Sequence, residues 1–522
     1  MIKKCILNIL IMISCVFPQE SLDKGQLFFE KEQYNKAIAE FKNVLTYDQT
    51  NYLAMNGLAQ AYNKLGDSPS AIRLYNQSLE LKTDQPETWM SLGNIFYYNK
   101  NYSKALNAYS QVVTYDPSYA KAHNNLATVY KELENIEKAI FHFEQALKLD
   151  PSYSRASRNL GDIYLRTGDA KKAILWLEQS TEQDPNSLYG WFWLGRAYVL
   201  DGQYQRGINM YKKVISKRSD LPQIHHYLGK AYFEIRDYKN AIYHVKFALS
   251  KNPSVIPVYL TLSRIYAHIQ HESQALSILK DALSVDRDIA AIYIERGNIH
   301  KSAARYEDAL DQYELATLVD PTEWKGFYKK GVVLYYLSRL NEADKALDRA
   351  NELSSENPSV YHFKGLVALA LNDHSNAKNH LSKASKIEKN NPDIWFHLGQ
   401  AYFRNEEFEN AKNNYIRSHR LDSLNTETLY SLGQVYKKLG DHSQSRIFLK
   451  KFKTISDYNE KIESLSEKIR MQPKNSNLRL ELGILYEEMG QLDKALMVYR
   501  QASYIGNADA DHRINIIVKE VQ

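Results

Sequence analysis

The chain has 522 residues, 44% of them hydrophobic and 25% charged, a balance that excludes a disordered polymer and a length that excludes one compact core. Its formal charge of +6 is close to neutral for this size and makes no case for nucleic acid. Both cysteines, Cys5 and Cys15, fall within the first fifteen residues, so the body can hold neither a disulfide framework nor a cysteine metal site.

In chain order, the first predicted element is a leader over residues 1–17. Lys3 and Lys4 supply positive charge, and an apolar run from Cys5 to Ser14 is interrupted only by Asn8. That length suits a secretory leader and is too short to span a bilayer. Met12-Ile13-Ser14-Cys15 is similar to a loose bacterial lipobox, which makes Cys15 a candidate lipidation site. Simple cleavage between Ser14 and Gln19, or an uncleaved first helix, are the alternatives. The expectation is an exported protein of the periplasm or cell envelope, meeting a membrane only through a lipid anchor.

After the leader the sequence repeats. Stepping by 34 from Gly25 meets Ala59, Gly93, Ala127, Gly161, Gly195, Gly229, Ser263, Gly297, Gly331, Gly365, Gly399 and Gly433. The same step from Ala37 meets Ala71, Ala105, Ala139, Ala173, Gly207, Ala241, Ala275, Ala309, Ala343, Ala377, Ala411 and Ser445. Thirteen contiguous units therefore run over residues 18–459, each with two small residues at fixed places. Each unit predicts two amphipathic helices, for example Lys121 to Glu132 and Ile136 to Leu147. The small positions belong where the paired helices cross. Leu92, Leu126 and Leu160 precede the first of them, and Tyr130 and Tyr164 follow it three residues later on the same face. Pro117, Pro151 and Pro185 stop one unit before the next begins.

Three places depart from the pattern. In units nine to eleven Arg296, Lys330 and Lys364 replace the core leucine, so their heads must reach solvent or carboxylates, and a looser segment is expected. Residues 460–475 are a helical insert carrying an Ile462, Leu465, Ile469 stripe. A fourteenth unit covers 476–509, and residues 510–522 form a capping helix with Ile514, Ile517, Val518 and Val521 turned inward.

The order Trp89, Leu92, Gly93, Phe96, Ala105, Tyr109, Pro117 closely resembles the tetratricopeptide repeat (TPR) consensus, and Leu482, Gly483, Tyr486, Ala495, Tyr499 and Ala502 renew it. The resemblance implies an all-α fold, a right-handed superhelical α-solenoid of helix-turn-helix units. It also implies that the second, fifth, ninth and twelfth residues of each first helix face a partner-binding groove.

Those positions and their neighbours give the candidate site. Unit five contributes Arg155 and Arg158, and unit six contributes Tyr189, Phe192, Trp193 and Arg196. His226, Tyr227 and Lys230 follow from unit seven, with Arg264 from unit eight. Arg196, Lys230 and Arg264 share one repeat position and are expected to form a ladder, with Asp162 neutralising part of it. Cations among aromatics suit acidic peptide segments or chain termini of other proteins.

No phosphate loop, nucleophile elbow or paired-histidine metal helix is present in the sequence. No enzyme activity, cofactor, metal or nucleic-acid partner is expected. His225 and His226 are adjacent and point different ways on a helix. The five-residue two-carboxylate clamp of some TPR cochaperones is not matched by any three successive units. Only Asn125 and Asn159 match the asparagine ladder of the TPR glycosyltransferases. The expected function is a protein-interaction scaffold or adaptor in a bacterial envelope. A regulatory or substrate-recruiting subunit of a separate enzyme such as a glycosyltransferase, and a cytosolic chaperone-like adaptor, are the alternatives.

Overall fold

The computed structural model describes residues 19–521. The leader and Cys15 lie outside the described residues. Among those residues every regular element is an α-helix, and none is long and apolar enough to cross a membrane. The helices group into two compact units, one ending at Ile265 and the other beginning at Tyr266.

From the second repeat to the thirteenth, first helices begin at Tyr52, Pro86, Ala120, Ser154, Leu188, Pro222, Ile256, Ala290, Trp324, Pro358, Pro392 and Thr426, a constant step of 34 residues. A 13-residue first helix such as Ala120–Glu132 is followed by a 14-residue second helix such as Ile136–Leu149. Side-chain caps set many of the starts. Asn135 accepts a hydrogen bond from the backbone N–H of Lys138 at 3.2 Å, and Asp169 from that of Lys172 at 3.1 Å. One left-handed residue turns the chain between paired helices, a glycine at Gly168 (φ +80°) but a glutamate at Glu134 (φ +58°).

The small residues lie where the sequence placed them, at the helix crossings. A Cβ on Gly207 would lie 3.0 Å from the carbonyl oxygen of Gly195, so the two backbones do approach closely. The larger role of the first small position is to admit a bulky side chain sixteen residues later. A Cβ on Gly93 would meet Tyr109, one on Gly161 Leu177, one on Gly297 Tyr313, and one on Gly399 Tyr415. Ala71, Ala105, Ala139, Ala309 and Ala343 are completely buried.

The fourth residue of several first helices ties the repeats together. Its ring N–H or O–H reaches back to a carbonyl six residues earlier, in the turn between repeats. Trp89 donates to Thr83 at 3.0 Å, Tyr259 to Pro253 at 3.0 Å and Trp395 to Lys389 at 2.9 Å. His123 and His225 make the same link through Nε2, to Pro117 and Ser219. Each link pins the first helix to the exposed turn that precedes it.

The three core cations resolve differently. Lys330 Nζ lies 3.0 Å from Glu314, and buried Lys364 pairs with Asp348, with Asp344 at 3.9 Å. Arg296 Nε is buried without a hydrogen-bond partner. The residues after unit thirteen prolong its second helix into one continuous helix, His442–Met471. Leu465, Ile462 and Ile469 on this extension pack against Leu478, Leu482, Leu485 and Val498. The final helix, Ala508–Val521, buries Ala510 and Ile517 against Ala495, Tyr499 and Ala502, with Ile514 half-buried beside them. Val518, expected to face inward, is exposed.

Candidate functional site

The groove face is built by the first helices through a contact absent from the single-helix pattern. The fifth residue of one first helix meets the sixth residue of the next, 35 positions on. Asn159 Nδ2 donates to Asn124 Oδ1 at 3.2 Å, and Asn125 Nδ2 contacts the Met90 sulfur at 3.3 Å. Phe192 and Tyr227 meet edge to face at 5.3 Å, and His226 Nε2 lies 2.8 Å from the Thr261 hydroxyl. Farther along, Tyr328 meets Phe363 at 5.7 Å and His362 Nε2 lies 3.0 Å from His397 Nδ1. Neighbouring first helices lie side by side, so a side chain at the fifth position packs against its successor, although Arg158 at that position still lines an open cleft.

This seam corrects two expectations. Phe192 is only 7% exposed and packs on Trp193, Tyr211 and Tyr227. It is a wall of the groove, not a contact surface. His226 is half-buried in the seam, where burial, and then Lys230, lowers its pKa to about 4. It is neutral near pH 7 and adds no charge. His225 turns the other way, toward His244 on the second helix of its own unit, with Nδ1 atoms 2.9 Å apart.

The remaining residues converge. The Arg196 guanidinium lies 4.7 Å from the Trp193 ring and 5.3 Å from the Tyr227 ring, and Lys230 Nζ lies 5.8 Å from Tyr227. Arg196 and Lys230 therefore share the Tyr227 ring, in place of a simple ladder of charges. The Arg158 guanidinium sits 6.0 Å from the Tyr189 ring, and Tyr189 is 70% exposed. Arg158, Tyr189 and Trp193 line a cleft of about 210 Å³ together with Lys131, Asn159 and Asp162. Arg155 and Arg264 are exposed.

Asp162 acts on Arg158 only at a distance and makes its ion pairs with other cations. Its buried carboxylate is 3.1 Å from Lys131 Nζ and 3.4 Å from Arg166 Nε. Arg155, Arg158, Arg196 and Lys230 have no carboxylate within 4.0 Å among the described residues. Burial, and then the neighbouring Arg155, holds Arg158 below its ordinary pKa, with Tyr189, Asp162 and Asp184 acting in the other direction without restoring it. A guanidinium in that position is short of counter-charge, and an incoming anion would relieve it.

Beside the cleft, amides form a chain. Asn159 donates to Asn124, Asn124 to Asn125 at 3.2 Å, and Asn125 to Asn94 at 3.3 Å, which also accepts from the Tyr109 hydroxyl at 2.8 Å. Matching a single repeat position found only Asn125 and Asn159. Asn94 and Asn124 stand at other positions, and pairing fifth with sixth residues across units would have found Asn124. Lys131 stands at the twelfth position, which the repeat pattern turns to the groove, yet it was missed because it belongs to the preceding unit.

Models of the tetratricopeptide repeat match residues 28–95, 93–134, 120–153, 365–406, 392–423, 426–459 and 477–505. A model of anaphase-promoting complex, cyclosome, subunit 3 matches residues 171–248. Hsp70-Hsp90 organizing protein 3 of Arabidopsis thaliana is 25% identical over 99 residues, 19% of this chain and 18% of that protein. Anaphase-promoting complex subunit CDC27 of Saccharomyces cerevisiae is 24% identical over 99 residues, 19% of this chain and 13% of that one. The matched stretch thus spans less than a fifth of either relative. The solved hetero-tetramer of APC/C Cut9-Hcn1 aligns with 97% of this chain and 96% of that chain, at 15% identity and a TM-score of 0.42.

Proposed function

We propose that this chain, which carries tetratricopeptide repeats, is a protein-interaction scaffold that seats acidic polypeptide segments in the cleft between Arg158, Tyr189, Trp193 and Arg196. The observation that carries the reading is the set of cations without carboxylate partners held against aromatic rings. Such a surface offers charge-assisted hydrogen bonds and flat packing at once, the chemistry that anchors an acidic segment or chain terminus. The work of the site is binding and not catalysis. Arginines held over aromatic rings are poor proton carriers, and His226 is turned into the seam.

Charge reversal tests it. Arg158→Glu, Arg196→Glu and Lys230→Glu together should abolish partner capture from native extract while circular dichroism stays that of the wild type. Capture that survives the three reversals contradicts the reading.

Placement in a bacterial envelope belongs to the same proposal and rests on Lys3, Lys4 and the apolar run to Ser14, with Cys15 as the candidate anchor. Fractionation checks it, since a full-length chain in the cytosolic fraction would remove the envelope from the proposal.

A further inference from the structure

In the second compact unit the repeat positions that line the first cleft carry different residues. The six repeat positions that line the first cleft recur five repeats later as Lys301, Tyr328, Lys329, Val332, Ser359 and Phe363. Lys131 thus corresponds to Lys301, Asn159 to Lys329 and Trp193 to Phe363. The informative exchange is Asp162 for Val332. In the first cleft the aspartate carboxylate holds Lys131. In the second unit that position is an apolar, buried valine, and neither Lys301 nor Lys329 has an ion-pair partner among the described residues.

Both lysines are half-buried. Burial, and then Lys301, lowers the pKa of Lys329, and Glu295 acts in the other direction. The two ammonium groups therefore repel each other where water is partly excluded. An aromatic wall stands beside them. Tyr328 packs edge to face on Phe363 at 5.7 Å and is 5.8 Å from Trp324, with Lys329 Nζ 5.7 Å from the Tyr328 ring. Lys325 Nζ adds a further cation 5.9 Å from Trp324.

We propose that Lys301, Lys329 and the Tyr328–Phe363 wall form a second site for an acidic peptide segment, making the chain bivalent for such segments. The claim about ligand class rests on the reading of the first cleft, while the site itself stands on its own residues. Two unpaired, half-buried ammonium groups match one or two carboxylates. Nucleic-acid affinity comes mainly from many phosphate contacts along the backbone, and this patch offers only a few cations. Two sites on one chain also make a partner with two acidic segments bind by avidity, which raises apparent affinity without any new contact.

The probe is a synthetic peptide of alternating glutamate and tyrosine, titrated calorimetrically into the full chain. Wild type should take two peptides. Lys301→Glu with Lys329→Glu should take one, and so should Arg158→Glu with Arg196→Glu. The milder Lys301→Gln with Lys329→Gln should weaken the second site on the order of thirtyfold or more, as loss of a charge partner in a desolvated site does, and guards against misfolding in the reversal. A wild type that takes one peptide, lost only on arginine reversal, overturns the second site and leaves the first reading standing. Two peptides still bound after lysine reversal overturn it equally. One peptide lost only on lysine reversal would remove the first cleft and keep the second. An oligouridine that displaces peptide from the lysine site at lower concentration than the peptide itself would assign the site to nucleic acid, contrary to the proposal.

Discussion

A methyl group placed on Gly93 would lie 2.4 Å from Cε1 of Tyr109, a side chain almost wholly buried beneath it. The glycine is the space into which the tyrosine ring fits, and the ring fills the crossing of the two helices in its repeat. Gly93→Ala should therefore cost about 1–3 kcal/mol through overpacking. Ala139→Leu, at the other small position, should cost a similar amount. Urea unfolding reads both, and a midpoint unchanged in either variant would mean the crossing is not packed this way.

Glu134 occupies the turn between paired helices at φ +58°, where Gly168 serves one repeat later at φ +80°. A side chain in the left-handed region strains against its own backbone, so Glu134→Gly should stabilise the chain by about 1 kcal/mol. A thermal midpoint that falls in this variant would contradict the assignment.

Two histidine pairs give a pH dependence with a fixed sign. His123 Nε2 donates to the Pro117 carbonyl, which leaves Nδ1 as the acceptor facing His142 Nδ1 at 3.1 Å. His225 and His244 repeat the arrangement three units on. His142 and His244 also stack on Tyr130 and Tyr232. Burial, then the partner histidine, and then a lysine (Lys138 or Lys212) lower both to about 4 from 6.5, with Asp237 opposing the shift at His244. A histidine with a lowered folded-state pKa stabilises fully above its unfolded value, and that contribution drains as pH falls. The urea midpoint should thus decline between pH 6.5 and about 4, and His142→Gln with His244→Gln should flatten the decline. A wild-type midpoint constant across that window would contradict the pairing.

Lys364 stands where other repeats have leucine, and its ammonium is held by Asp348. Asp348→Ala leaves a buried cation with only Asp344 nearby and should cost about 1–3 kcal/mol. Lys364→Leu restores the apolar residue and should be neutral or stabilising. Equal losses in both variants would mean the pair itself carries the stability.

Most of the helix plan was legible in the sequence because one physical demand is renewed in every unit. Gly93, Gly161 and Gly297 each clear room for one large residue sixteen positions later, so their spacing transmits the helix pairing directly. The groove was legible only in part. Arg196 and Lys230 could be placed because their long side chains keep their cationic heads beside the Tyr227 ring without a carboxylate partner. Phe192 and His226 were misplaced because Tyr227 and Thr261 of the next repeat take up their side chains, a contact that no single helix carries. Asp162 went astray for a related reason, since its partner Lys131 comes from the repeat before. What escaped the sequence was contact between units, not structure within them.

The central claim is that the first-helix cleft is where partner chains sit. A photo-crosslinking residue placed at Tyr189, on the cleft rim, should capture an acidic partner segment from native extract. The same residue placed at Tyr243, exposed on a second helix, should not. Capture at Tyr243 with none at Tyr189 would place binding on the other face and contradict the account.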